Sequence, residues 1–270
     1  MASRSAADIG SPARILVVAG SDSGGGAGIQ ADIKTITCLG GYAMTAITAV
    51  TVQNTLGVSG IHAIPPEVVA AQMRACIDDI GVDAVKIGML GSAETVAAVA
   101  EVLRGIGVPV VLDPVMVAKG GASLISDEAT GALIELLLPL ATVVTPNTPE
   151  LVVLTETDVE DEADALLAAQ ELLNSGVRAV LAKGGHLPGL RITDWLVTRG
   201  LQRSFTSERI ETKSSHGTGC TLASALACGL GQGLPLETAV ERARAFVVQG
   251  LLNAPGFGQG HGPLGFIPFE

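Results

Sequence analysis

The amino-acid sequence predicts an α/β fold: a mainly parallel sheet with helices on both faces. Short apolar runs rich in Val, Ile and Leu alternate along the chain with segments of helical periodicity. Runs without polar alternation are what strands buried on both faces look like. Strand followed by helix, repeated, builds a parallel sheet with covering helices. The chain has 270 residues, 48% hydrophobic and only 16% charged, enough apolar material to bury a large core in a single domain.

The strands are read at residues 14–19, 44–52, 84–87, 108–112, 142–145 and 179–182. Between them, residues 27–39 place Ile29, Ile33 and Ile36 on one helical face, and residues 93–106 place Val96, Val99, Leu103 and Ile106 on another. Residues 192–210 read instead as two short strands around Gly200, a hairpin at one edge of the sheet. Two helices follow, at 218–230 and 235–252, and the glycine-rich stretch 255–263 reads as loop. No linker or internal repeat divides the chain, so one domain is expected over 14–270, preceded by a flexible extension over 1–13.

Composition narrows the function. The formal net charge is -11, whereas proteins that bind phosphate backbones cluster Lys and Arg. Aromatics are only 3%, with Trp195 the sole tryptophan, too few rings for stacking single-stranded bases. Nucleic acid is therefore not an expected partner. Cys38, Cys76, Cys220 and Cys228 form no Cys-x-x-Cys pair, which removes the usual zinc signature and fits free thiols in a reducing cytoplasm. Residues 1–12 lack the apolar stretch of about 7–15 residues that a secretory signal needs. The most apolar segment, 133–144, is broken by Glu135 and Pro139, well short of the roughly 18 residues of a membrane helix. Neither export nor a membrane is expected.

Unusual polar residues stand where the strands end: Ser21 and Asp22, Gln53 and Asn54, Lys86, Asp113, Asn147 and Lys183. Ligands of open parallel sheets bind beyond those ends, although polar residues also appear there simply because a strand stops. Between the first strand and first helix lies a glycine-rich turn, Ala19-Gly-Ser-Asp-Ser-Gly-Gly-Gly-Ala-Gly-Ile-Gln-Ala-Asp32. Its Gly26, Gly28 and Ala31 satisfy the Gly-x-Gly-x-x-Gly/Ala pattern. However, no acidic residue falls between Asp32 and Glu67 to hold a ribose, which weighs against a dinucleotide site. A Walker A sequence is also absent. His216-Gly-Thr-Gly-Cys-Thr221 is the stronger anion cradle, since two glycines free the amides at a helix start. The competing reading is an ordinary helix start with Cys220 as a small buried hydrophobe.

Asn147-Thr-Pro-Glu150 has the spacing of a capping box with Pro in the first turn. Alternatively, Glu150 can serve a magnesium shell, with Asp113 sharing the task. Lys183, in a Lys-Gly-Gly-His loop, is suited to meet phosphate oxygens as a point charge.

The stretches AGSDSGGGAGIQADIKT, TAVTVQNT, KIGML, LDPVM, TPNTPE, KGGH and HGTGCTLASALA, in this order over nearly the whole chain, resemble the hydroxymethylpyrimidine/phosphomethylpyrimidine kinase family of the ribokinase-like superfamily. The resemblance implies a three-layer α/β/α sandwich, ATP and magnesium as cofactors, and a homodimer. The implied reaction is phosphorylation of 4-amino-5-hydroxymethyl-2-methylpyrimidine and then of its monophosphate, in thiamine biosynthesis. By position, Gln53 resembles the side chain that reads the pyrimidine ring, and Gly20, Asp32 and Met89 the rest of its pocket. Lys183 resembles the phosphate-facing lysine, Asn147 and Glu150 the magnesium-associated pair, and Gly217, Gly219 and Cys220 the anion hole. Thr218 joins Asn147 and Lys183 around the nucleotide. A helix N-terminus lowers a thiol pKa from about 8.5 towards roughly 3.5–7.5, which makes Cys220 a candidate base. Many ribokinase-like sugar kinases carry aspartate there. Ser23-Gly24 also departs from the Pro-Ser often found in the family. A pyridoxine or pyridoxal kinase, whose ring bears a similar hydroxymethyl group, and a non-catalytic pyrimidine sensor are the alternatives.

Overall fold

The computed structural model describes residues 11–116 and 124–269. The predicted strands are present as β1 (Arg14–Asp22), β2 (Tyr42–Asn54), β4 (Ala84–Ile87), β5 (Val110–Leu112), β6 (Val143–Val144) and β7 (Ala179–Ala182). Beside β2 lies β3 (Gly57–Ala63), and beyond β7 come β8 (Arg191–Thr198) and β9 (Gln202–Glu208). All nine pair in one sheet, in the order β3-β2-β1-β4-β5-β6-β7-β8-β9. From β2 to β7 the pairing is parallel; β3, β8 and β9 join antiparallel at the two edges. The 192–210 hairpin accordingly forms an edge.

Every residue of β4 and of β7 is buried, because helices cover both faces. Alternate side chains of β1 show the division. Leu16 and Val18 enter one core, with Val69 and Met73 of α2 (Pro66–Asp79), Val96 and Val99 of α3 (Ala93–Leu103), Leu151 of α5 (Thr148–Thr155) and Ala168 of α6 (Glu162–Leu172). Ile15 and Val17 enter the other, with Ile29 and Ile36 of α1 (Gly28–Cys38), Leu226 of α7 (Thr218–Gly231) and Phe246 of α8 (Leu236–Leu252). A short α4 (Asp127–Ala132) completes the α-helices among the described residues and runs on into a π turn at Leu133–Leu137. The three-layer sandwich matches the expected fold class.

The differences from expectation have local causes. Helix α3 stops at Leu103 rather than 106, because Gly105 takes a left-handed φ of 81°. The strand β3 escaped the pattern because it is largely exposed and carries no apolar run. Only Val69, Ala70 and Met73 of α2 are buried, too sparse a stripe to read as an amphipathic helix. The expected free extension over 1–13 falls mainly on residues outside the described ones. Within it Ala13 is buried, and its carbonyl accepts from Tyr42 N at 2.8 Å.

Candidate active site

Parallel strands all end on one edge, and there the chain forms a cleft of about 710 Å³, within the size range of small-ligand sites. Its lining includes Gly20 and Asp22 at the end of β1, Gln53 of β2, Lys86 and Met89 of the β4 end, Asp113 after β5, Asn147 after β6 and Lys183 after β7. The strand-end residues therefore converge, as an open parallel sheet requires.

The first glycine-rich turn is not an empty cradle. Asp22 Oδ1 accepts from Gly24 N at 2.7 Å, and Oδ2 accepts from Gly26 N at 3.0 Å and Ala27 N at 2.8 Å. His216 Nε2 meets the same Oδ2 at 2.9 Å. Burial alone would raise the Asp22 pKa, but the bonds from His216, Ala27 and Gly24 outweigh it and hold the carboxyl below its ordinary value. The protein supplies its own anion to these amides, which is a physical reason why the Gly26-Gly28-Ala31 pattern is no dinucleotide site.

The second turn is open. Gly217 caps α7 at a φ of 85°, with no side-chain cap, so the first amides of the helix keep the unsatisfied donors that helix geometry leaves. Gly217, Thr218, Gly219 and Cys220 all line the cleft. A Cβ at Gly217 would fall 1.8 Å from Gly26 O, so only glycine lets the two turns pack backbone to backbone. At Cys220 burial opposes what the helix start alone would favour. Burial, with Asp32 and Asp113 adding to it, pushes the thiol up to about 11, although Lys86 and a bond from Gly28 N pull the other way. Desolvation outweighs the helix N-terminus, and the group is a thiol at neutral pH.

Beside α7 stands a charged cluster. Lys183 Nζ donates to Asp113 Oδ1 at 2.8 Å and lies 3.9 Å from Glu150 Oε2, and Thr145 Oγ1 also donates to Asp113 Oδ1, at 2.9 Å. Burial pulls Lys183 down, but Asp113 and Glu150 raise it above the ordinary value, so it is an ammonium ion. Burial pushes Glu150 up to about 7 against the pull of Lys183. Both halves of the capping box are present: Glu150 N donates to Asn147 Oδ1 at 3.0 Å, and Asn147 N donates to Glu150 Oε2 at 2.8 Å. Cap and cleft are thus compatible, since Asn147 and Glu150 line the cavity while fixing α5.

Asp32 occupies a different place from the one expected. It is fully buried and lines no part of the cleft; both carboxylate oxygens take Lys86 Nζ at 3.0 Å, and Ser224 Oγ donates to Oδ1 at 2.6 Å. Burial pushes Asp32 up. It also pulls Lys86 down, yet Asp32 keeps the ammonium above its usual value. Two ammonium bonds and a hydroxyl on one carboxylate are the geometry of a charge-assisted pair, so both groups are ionised. The pair ties β4 to α1 and α7, and Lys86, not Asp32, reaches the cavity wall.

Around Gln53 the side chains form one network. His216 Nε2 faces the Asp22 carboxylate at 2.9 Å, and Thr51 Oγ1 lies 2.9 Å from Ser21 O. The Gln53 oxygen accepts from Thr51 Oγ1 at 3.0 Å, and its amide nitrogen lies 3.2 Å from His216 Nε2. One N–H and an oxygen lone pair remain for a ligand.

The phosphomethylpyrimidine kinase family matches residues 22–265. The chain belongs to this family. It is 48% identical over 252 residues, 92% of this chain and 95% of the other, to the hydroxymethylpyrimidine/phosphomethylpyrimidine kinase of Rhizobium meliloti. It is 52% identical over 257 residues, 94% of this chain, to the thiamine biosynthesis bifunctional protein ThiED of Geobacter sulfurreducens, and spans 52% of that longer relative. An ADP complex of Bacillus subtilis pyridoxal kinase superposes with a TM-score of 0.88 at 34% identity, over 95% of this chain and 98% of that one.

The structure of this kinase brings together Gly20, Gln53, Met89, Asp113, Asn147, Glu150, Lys183, Gly217, Thr218, Gly219 and Cys220 in one cleft. It gives specific partners to three residues, Asp22, Lys86 and His216, that sequence reasoning named only as strand-end or motif positions. The position of Asp22, ahead of three glycines, was the available signal for the first. The far end of the cleft, walled by Ile192, Ile210, Val247, Val248 and Leu251, carries no motif at all.

Replacing Lys86 by Met should cost about 3–5 kcal/mol, because it strands a buried carboxylate. Adding Asp32→Asn should recover much of the loss. Denaturant unfolding of both variants checks this, and a single variant as stable as the parent would show the pair to be dispensable. For Cys220, alkylation by iodoacetamide followed by peptide mass spectrometry should be slow at pH 7 and accelerate only towards pH 11. A plateau already reached near pH 7 would mean a thiolate.

Proposed function

We propose that this kinase transfers the γ-phosphoryl group of ATP to the hydroxymethyl group of 4-amino-5-hydroxymethyl-2-methylpyrimidine and then to the phosphate of the resulting monophosphate. The observation that carries the reading is the uncapped start of α7, with Lys183 beside it, between a polar pocket on one side and an apolar slot on the other. The ring occupies the pocket of Gly20, Gln53 and Met89, where the amide of Gln53 offers the donor and acceptor that an aminopyrimidine edge needs. The adenine fills the slot between Ile192, Ile210 and Val247. The phosphates then lie along Lys183 and the amides of Thr218, Gly219 and Cys220.

In this arrangement the hydroxymethyl oxygen attacks the γ-phosphorus as the bond to the ADP oxygen breaks, and the hydroxyl proton leaves with solvent or the phosphoryl oxygens. The transition state is loose, so stabilising the moving charge matters more than activating the alcohol. A protonated Cys220 suits that chemistry, as a packing group beside the hydroxyl. Magnesium, kept largely hydrated, is held by one or two carboxylates and substrate phosphates. Asp113 and Glu150 fit such a pair, and the described residues contain no acidic, His or Cys group of three or more that would form a full cage. The ion would neutralise phosphate charge.

Further parts of the reading are a homodimer and a reducing cytoplasmic setting, the latter supported by four unpaired thiols. Among the described residues no helix is long and apolar enough to cross a membrane.

A coupled ATP-consumption assay with the pyrimidine alcohol, its monophosphate and pyridoxal as separate substrates tests the reaction. Both pyrimidines should turn over, and pyridoxal turnover alone would overturn the assignment. In that assay Gln53→Leu should weaken pyrimidine use by roughly 1–3 kcal/mol, because the ligand's polar edge loses its partner; an unchanged KM removes Gln53 from the pocket. Glu150→Gln preserves a capping box. It should therefore leave the melting temperature nearly unchanged while raising the magnesium needed for turnover. A fall in stability at normal magnesium dependence would leave Glu150 as a cap only.

A further inference from the structure

Near the carboxyl end, Gly256, Gly258, Gly260 and Gly262 alternate with other residues, and this segment lines no part of the cleft. It nevertheless touches two parts of the chain that do. His261 N donates to Thr55 O at 2.8 Å and Gly260 N to Thr55 Oγ1 at 3.4 Å, and Thr55 is two residues beyond Gln53. Immediately afterwards, His216 N donates to Gly262 O at 3.0 Å and Gly262 N to Lys213 O at 3.1 Å. Between these two anchorages the Gln53 amide and the His216 ring meet at 3.2 Å.

We propose that residues 258–263 are a brace that positions Gln53 against His216 and so sets the width of the ring pocket. The inference rests on the reading of Gln53 as the ring-binding side chain. Three features of the segment support it. Its base is fixed, because Leu264 is buried and Gly265 N donates to Gly250 O at 2.9 Å on α8. Its approach to the chain just after β2 is too close for any side chain: a Cβ at Gly260 would fall 2.2 Å from Thr55 O. That obstacle is a backbone atom, which cannot swing aside as a side chain can, and a Cβ at Gly262 would fall 2.8 Å from Ser214 Oγ and 2.9 Å from Phe257 O. Finally, the brace spans only a few residues between its contacts, so a shift at Thr55 is passed to His216 rather than absorbed by slack.

Although His216 leads directly into Gly217 and the start of α7, that start has further supports the brace does not touch, in the Lys183 cluster and in the close packing of Gly217 on Gly26. A strained brace should therefore disturb the ring more than the nucleotide. A purely structural loop would not discriminate between the two substrates.

The experiment compares Gly260→Ala with Gln259→Ala, an exposed neighbour in the same loop, and with Gln53→Leu. Gly260→Ala should raise the KM for the pyrimidine alcohol on the order of tenfold, since a displacement of about 1 Å can cost as much as about 100-fold. The KM for ATP should stay within about twofold of the parent, and Gln259→Ala should match the parent in both. Equal rises for both substrates, or no change in either, would overturn the brace. Gln53→Leu without effect would instead remove the ring-binding role of Gln53, and the two failures are read from different variants. Should Gly260→Ala not fold, hydrogen exchange in the unaltered protein decides. Pyrimidine binding should slow exchange of the His261 and His216 amides more than binding of an ATP analogue does, and amides indifferent to the pyrimidine would sink the proposal.

Discussion

Three sets of backbone N–H groups gather near this cleft, and the chemistry depends on which of them the protein leaves unfilled. The carboxylate of Asp22 fills the turn between β1 and α1, taking the amides of Gly24, Gly26 and Ala27. Asn147 and Glu150 close the start of α5 on each other. Of these three sets, the amides at the first turn of α7 are the ones that no side chain fills, and in the proposed reading an incoming phosphoryl group would meet donors there that need no reorganisation. Each filled set also removes a competing anion site, so the glycine-rich turn that looks most like a nucleotide loop is instead a rigid wall. That wall carries His216 into contact with Gln53, which links the anion end to the ring end.

Charge in the cleft follows the same logic of local balance. The chain as a whole has a formal net charge of -11, yet it must accept a polyanion. Long-range attraction does not help it, so in the proposed reading the pull comes from nearby groups, the ammonium of Lys183 and the α7 amides, in a partly desolvated site where such interactions are strong. Asp113 and Glu150 hold Lys183 in its charged form. Lys86 and Asp32 neutralise each other in the layer behind, so the floor of the cleft holds a second ammonium without an uncompensated buried charge. A buried pair of this kind is weak evidence for stability. Its geometry fixes α1, α7 and β4 relative to one another, and α7 is the helix whose start must be aimed.

Much of this was legible in the sequence, and the rest was hidden for definite reasons. Strands such as β4 and β7, buried on both faces, announce themselves as continuous apolar runs, and the parallel topology then places their ends together. The residues at those ends could therefore be named before any distance was known. Partnerships across the sequence could not. Asp32 and Lys86 are 54 positions apart, and nothing in either local pattern shows that they meet, which is why Asp32 reads as a pocket residue when it is the counter-ion of one. The apolar slot near α8 consists of ordinary core-type residues on three elements, so it has no motif to find. Exposed β3 lacks the alternation that marks a half-buried strand, and it is held by pairing with β2 rather than by its own composition.

The Cys220 position shows how competing physical effects decide a role. A helix N-terminus favours a thiolate and burial a thiol, and sequence reasoning offers both without a way to weigh them. The fold adds burial and two neighbouring carboxylates, Asp32 and Asp113, and together these exceed the help of Lys86 and of the Gly28 amide. The outcome is a neutral sulfur where many sugar kinases of the superfamily place a carboxylate. In the proposed reading, a neutral group there would put no further negative charge beside the γ-phosphate at the amides of Thr218 and Gly219. For a loose transition state the alcohol needs little activation, so that reading does not require a base at this position. The thiol is therefore consistent with a site that works by positioning and by amide donors, and its polarisable sulfur can pack against the face of a flat heteroaromatic ring.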